Sequence, residues 1–158
     1  LLNYVRLEPG EGIYLDAGNL HAYCRGLGVE VMANSDNVLR GGLTAKHVDV
    51  PELARVLRFT SLVNPRTSND TGWFEMPVEE FDMRMVTATE ESPWSAQIPG
   101  PRVVLCTAGH VTVTVGPATQ VLHPTEAVWI SAAEEPLVQV TGAGQAFVVG
   151  VGARLSTP

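Results

Sequence analysis

The sequence is poor in charge, lysine and cysteine, and it has no long apolar run. Charged residues make up 17% of its 158 residues beside a hydrophobic share of 45%, a balance that excludes a disordered chain or a coiled coil. Ten basic residues against 17 acidic ones give a net charge of −7, which argues against a generic nucleic-acid binder. No stretch approaches the roughly 18 apolar residues of a membrane span, and the opening residues carry no signal-peptide pattern. Two cysteines, Cys24 and Cys106, do not make a disulfide framework and fit free thiols in a reducing cytoplasm. No H-x-H, HExxH, C-x-x-C, P-loop or GxGxxG occurs. What the chain has in quantity is 15 glycines and 11 prolines, the mark of a loop-rich globular protein. It begins at Leu1 in strand-like sequence, and we expect it to be a segment of a longer or cleaved protein.

Charge and pattern divide the chain. Residues 1–62 hold 6 basic and 7 acidic side chains, residues 63–158 hold 4 and 10, and the single lysine, Lys46, is in the first part. An anionic substrate is therefore expected at the first part. There Val5 and Leu7, Ile13 and Leu15, and Val29 and Val31 alternate with polar residues, which predicts short strands. Glu8-Pro9-Gly10-Glu11 is a turn signal, as are Asn34-Ser35-Asp36-Asn37 and Gly41-Gly42. Asp49-Val50-Pro51-Glu52 combines a cap, a first-turn proline and a capping-box glutamate, and predicts a helix over 49–59 with Leu53, Val56 and Leu57 as its apolar stripe. Residues 63–72 read as a linker. Residues 73–158 are nearly all short apolar runs between Gly/Pro turns: Phe81 to Met85, Val103 to Cys106, Val111 to Val115, Val121-Leu122, Ala127 to Ile130, Leu137 to Val140 and Ala146 to Val149. Such spacing predicts a sandwich or jelly-roll barrel.

The densest polar constellation is residues 16–46. His21 follows a Gly-Asn bend, where an imidazole can bind a metal at a barrel mouth or simply be a solvated histidine. Glu30 lies between two valines, either turned into a barrel, where it must be paired or catalytic, or turned outward to water. Arg40 stands beside two glycines, which let a ligand approach the backbone while the guanidinium holds a phosphate or an oxyanion; the plainer reading is a loop held by an Asp36–Arg40 pair. His110 and His123 have no carboxylate at useful spacing and read as structural or surface residues.

Taken together, Gly18-Asn19-Leu20-His21-Ala22-Tyr23, Gly28-Val29-Glu30-Val31-Met32-Ala33 and Asn34 through Asp49 closely resemble the C-terminal part of the type I, zinc-dependent mannose-6-phosphate isomerases of the cupin superfamily. The resemblance is strong over residues 1–62 and weaker through 70–155. It implies a mainly β fold: the C-terminal part of the catalytic cupin, one short helix, and a second, degenerate jelly roll without chemistry of its own. It implies that His21 is the last zinc ligand, that Arg40 is the catalytic arginine, and that Glu30 is an acidic pocket residue able to move the proton. Lys46 matches a lysine near the substrate, and Asp36 and Asn37 match the turn that supports the arginine. The family's other three zinc ligands, a Gln-x-His pair and a Glu, lie upstream and are absent here. Asp16 and Ala45 stand where proline is usual.

The expected activity is the interconversion of mannose 6-phosphate and fructose 6-phosphate through an enediol. It belongs to the intact zinc enzyme, in which this chain is joined by the missing N-terminal portion of the catalytic domain; alone it should bind zinc poorly and not turn over. The competing reading is a non-catalytic sugar-binding or structural cupin. A small cupin metalloenzyme acting alone is disfavoured, because one histidine cannot make a zinc site.

Overall fold

The computed structural model describes residues 2–35, 38–60, 62–67 and 72–151. It divides into two compact units, Leu1–Thr67 and Ser68–Pro158. In the first unit β1 (Gly12–Ile13) and β2 (Arg66–Thr67) are antiparallel, with Gly12 opposite Thr67, so part of the stretch read as a linker is a strand. The turn signal before β1 forms, Glu11 N–H donating to Glu8 O at 3.0 Å. Helix α1 spans Val50–Val56. Asp49 caps it, its Oδ1 accepting from Glu52 N–H at 3.1 Å, and Pro51 sits in the first turn, where its missing N–H costs nothing. The helix stops at Leu57, whose extended backbone breaks the ladder; its apolar stripe buries no residue.

The other alternating stretches of this unit form no ladder among the described residues. Val29 and Val31 are half-buried and Glu30 is exposed, so the alternation survives in burial, but no described segment takes up their backbone groups. A strand exists only as a pair. No described residue of the first unit is fully buried, and Leu27, Leu43 and Phe59 stand 89%, 99% and 86% exposed. This unit therefore presents apolar surface without a core of its own.

The second unit is all β and built on two long strands. In chain order its strands are β3 (Asp82–Ala88), β4 (Trp94–Gln97), β5 (Arg102–Val115), β6 (Ala118–Leu122), β7 (Ala127–Ile130) and β8 (Leu137–Gly150). The long pair, β5 and β8, is antiparallel over nearly its whole length. Near one end it is flanked by β3 on β8 and β7 on β5. Near the other it is flanked by β4 on β8 and β6 on β5. The pairings make two four-stranded layers, β3-β8-β5-β7 and β4-β8-β5-β6, that share both long strands. A register shift between Cys106 and Ala108 marks the bend between them. At that bend Gly109 (φ +66°) faces Gly144. A Cβ on Gly109 would lie 2.1 Å from Ala143 O, and one on Gly144 would lie 2.5 Å from Ala108 O. Only glycine lets the two backbones cross this closely.

Residues from both layers form a single core. Val86, Val104, Ala146 and Val148 of one layer pack with Val111, Val113, Leu122, Val138 and Val140 of the other. The chain is thus mainly β, with a jelly-roll-type sandwich whose sheet is not closed. Two pairs of runs expected as separate strands are halves of one: Val103–Cys106 and Val111–Val115 both belong to β5, and Leu137–Val140 and Ala146–Val149 both belong to β8.

One core position is an arginine. Arg102, at the start of β5, is 1% exposed. Its Nη1 donates to Gly100 O at 2.6 Å and Ser131 O at 3.4 Å, and its Nη2 donates to Glu135 O. Burial pushes its pKa down, and the charge of Glu134 opposes that. The guanidinium ties the Ser131–Pro136 loop to the sandwich through its carbonyls. Arg102→Ala should lower the unfolding free energy by about 2–4 kcal/mol, from the lost side chain and the stranded carbonyls, measured by urea denaturation.

Candidate functional site

The bend that presents His21 is held from three directions. The Asp16 carboxylate accepts from Ala17 N–H at 2.8 Å through Oδ1 and from Arg58 Nη1 at 2.5 Å through Oδ2. Asn19 Nδ2 donates to Asp16 O at 2.8 Å. Gly18 (φ +82°) packs on the end of α1: Arg58 N–H donates to Gly18 O at 3.0 Å, and a Cβ on Gly18 would lie 2.9 Å from Val56 O. Sequence spacing gave no sign of the Asp16–Arg58 pair, because 42 residues separate the partners. Asp16, which the resemblance sets where proline is usual, has a structural task here.

His21 Nδ1 lies 3.2 Å from Asn19 O. A carbonyl only accepts, so this contact puts the proton on Nδ1 and leaves Nε2 as a lone-pair donor. That is the arrangement of a metal-binding histidine whose other nitrogen is held by the backbone. The His21 ring meets the Tyr23 ring edge to face, centroids 5.7 Å apart and planes at 66°. Tyr23 Oη–H in turn donates to Glu30 Oε1 at 2.6 Å. Desolvation of the hydroxyl, then the bond to Glu30 and its charge, push the Tyr23 pKa up to about 12, so the phenol keeps its proton and remains a donor near neutral pH. Tyr23 lies inside the motif that carried the resemblance, yet spacing alone did not mark it as the partner of Glu30.

The segment that carries Arg40 touches the histidine bend at Gly41. A Cβ on Gly41 would lie 2.1 Å from Leu20 Cδ1. The Leu20 side chain therefore fills the space that the glycine leaves, and Leu20 and Gly41 are packed together. This corrects the expectation that both glycines keep room for a ligand: Gly41 makes room for Leu20, while beside Gly42 there is open space. Arg40 is exposed and makes no hydrogen bond or ion pair among the described residues. Lys46 is also exposed, its backbone N–H donating to Thr44 Oγ1 at 3.1 Å. Asp36 and Asn37, expected to support Arg40, lie outside the described residues.

Among the described residues no three His, Cys, Asp or Glu side chains gather as a metal cluster, at His21 or elsewhere. Both cysteines are free thiols, Cys24 exposed and Cys106 buried, and no helix among the described residues is long and apolar enough to cross a membrane. His110 is exposed, and His123 makes a surface pair with Glu126 at 3.3 Å.

The bend carries a pH signature. The Ala17 amide and then the Arg58 guanidinium hold the Asp16 carboxyl below its ordinary value of 3.8. A depressed pKa contributes stability that is present above the unfolded value and lost as pH falls through the folded one. Acidification below pH 3.8 should therefore loosen the bend, seen as faster exchange of the Arg58 amide that bonds Gly18. Asp16→Asn should show the faster exchange already at neutral pH, with a weaker acid response.

An open jelly-roll sandwich, together with a loop unit in which a backbone-held histidine meets a tyrosine-held carboxylate, marks a protein of cupin fold. The chain matches no family model. It is 37% identical over 151 residues to mannose-6-phosphate isomerase of Escherichia coli, covering 92% of this chain and 38% of that one. The Aspergillus fumigatus mannose-6-phosphate isomerase is 34% identical, covering 89% of this chain and 35% of the relative. The crystal structure of mannose 6-phosphate isomerase from Salmonella typhimurium, bound to its substrate and to zinc, superposes with a TM-score of 0.64 at 29% identity, over 77% of this chain and 32% of that one. By sequence and by fold the chain is a homologue of the mannose-6-phosphate isomerases, and it spans little more than a third of the length of these curated relatives.

Proposed function

We propose that this chain forms part of a zinc-dependent mannose-6-phosphate isomerase and supplies one wall of its active site. The observation that supports this reading is the linked group His21–Tyr23–Glu30, rings 5.7 Å apart and hydroxyl to carboxylate at 2.6 Å, in a unit where Leu20 also packs on Gly41, next to Arg40 in the chain. Residues 1–62 are then the last part of the catalytic cupin, and residues 73–158 a second jelly roll without chemistry. The remainder of the intact enzyme pairs with the alternating segments around Val29 and Val31, covers the exposed Leu27, Leu43 and Phe59, and brings the other metal ligands.

The donor set fits zinc in part: His21 Nε2 is a free imidazole nitrogen with its proton fixed on the other side. Bound zinc would supply Lewis acidity toward the sugar oxygens. The other steps use this chain's own side chains. Glu30 takes the C2 proton of open-chain mannose 6-phosphate, and the freed electron pair forms the C1–C2 double bond while the C1 carbonyl oxygen takes up the negative charge. The hydroxyl proton passes from O2 to O1, and the proton held by Glu30 returns to C1 as the C2 carbonyl of fructose 6-phosphate forms. Arg40 faces the negative charge that develops on the enediolate oxygen. Lys46 attracts the phosphate. The free thiols suit a cytoplasmic setting.

The absence of a three-ligand group among the described residues favours one other reading, a sugar-binding cupin that has lost its metal. Assay of the intact protein on mannose 6-phosphate separates the two. Turnover that a chelator abolishes and zinc restores supports the isomerase. Binding of the sugar phosphate without turnover, at any zinc level, supports the alternative.

A further inference from the structure

We infer that Tyr23 is the positioning residue for the Glu30 carboxylate, a role that rests on the isomerase reading for its catalytic meaning and on the geometry for its structural one. The Tyr23 hydroxyl donates to Glu30 Oε1 at 2.6 Å across seven residues of chain. Glu30 receives no other hydrogen bond or ion pair among the described residues, and its side chain is exposed. An unheld glutamate at such a surface would sample several rotamers. The phenol removes that freedom by occupying one carboxylate oxygen and leaving Oε2 open. The same ring lies edge to face with His21, 5.7 Å between centroids. One side chain thus touches both the carboxylate and the imidazole. Packing does not account for a tyrosine here: the residue is 71% exposed, and its hydroxyl bonds only Glu30 among the described residues. Proton transfer depends on where the accepting oxygen stands, so this hold acts on the chemical step and not on binding of the sugar phosphate.

The test is Tyr23→Phe in the intact enzyme, which removes one exposed hydroxyl and keeps the ring. The expected result is a kcat lower by about 10- to 100-fold with KM changed less than about twofold, and zinc content as in the parent. In a Glu30→Gln background the same change should cost little more, since the group it positions is already disabled. Side-chain NMR couplings of Glu30, read near neutral pH in both proteins, should pass from one rotamer in the parent to an average in Tyr23→Phe. An unchanged kcat overturns the inference, as does an undiminished loss in the Glu30→Gln background or a Glu30 that keeps its single rotamer. If the parent enzyme does not isomerise mannose 6-phosphate at all, the isomerase reading falls and the Glu30 couplings alone decide whether Tyr23 holds the carboxylate.

Discussion

Replacing Arg40 by alanine in the intact enzyme should lower kcat by about 10²–10³-fold, in the range found when one preorganised oxyanion donor is removed. The fold should be untouched. Arg40 is exposed and makes no hydrogen bond or ion pair among the described residues, so its removal strands no partner. Its backbone is fixed by something else, the seating of Leu20 against Gly41, which alanine at position 40 leaves in place. An arginine used only to attract the phosphate would raise KM and spare kcat; one that faces the enediolate lowers kcat. Steady-state kinetics on mannose 6-phosphate, with a thermal unfolding trace beside them, read both quantities. Turnover equal to the parent's would remove Arg40 from the mechanism.

The second large effect is expected in the sandwich. Gly109→Ala should destabilise the second unit by about 3 kcal/mol or more, enough to lose most soluble protein. The added methyl would meet Ala143 O at 2.1 Å and Gly144 Cα at 2.8 Å, both backbone atoms of the paired strand, at a φ of +66°. Gly116 is the control. It also has a positive φ, +51°, but there the methyl meets the Glu135 side chain at 3.0 Å, and a glutamate can swing away. Gly116→Ala should cost only the conformational strain, about 1 kcal/mol. Urea titration of the two variants gives the comparison. Equal costs would mean that the bend between the layers does not need its close crossing.

The β character of residues 73–158 was legible because the apolar residues alternate where one face is buried, and β7 (Ala127–Ile130) falls where the pattern placed it. The continuity of the long strands was not legible. Gly109 and Gly142 look like chain breaks in a sequence, yet here they mark a bend that the ladder passes through. β4 was missed because Ser95 and Gln97 dilute its apolar pattern, and only pairing with β8 makes it a strand. In the first unit the converse holds. Val29 and Val31 announce a strand, and no described segment completes it, since alternation records a buried face and not the identity of the partner.

At the site, His21, Glu30 and Arg40 could be picked out as a group only through resemblance. The contacts around them run through Leu20, Tyr23 and Asp16, ordinary residues whose work is visible once the chain is folded. Tyr23 bonds Glu30 at 2.6 Å and Asp16 bonds Arg58 at 2.5 Å. Neither pairing follows a helical or strand period, so no spacing rule finds it.

The leucine seated on Gly41 has a consequence for how such a site can diverge. A side chain added at position 41 meets Leu20 Cδ1, the end of a flexible side chain that is 41% exposed, so Leu20 must turn out of its seat. What such an enlargement removes is the contact between the two segments, while each backbone can keep its path. A library that randomises 41 alone should therefore keep folded members whose Arg40 segment is less firmly seated, although neither Leu20 nor Gly41 carries a group that reacts.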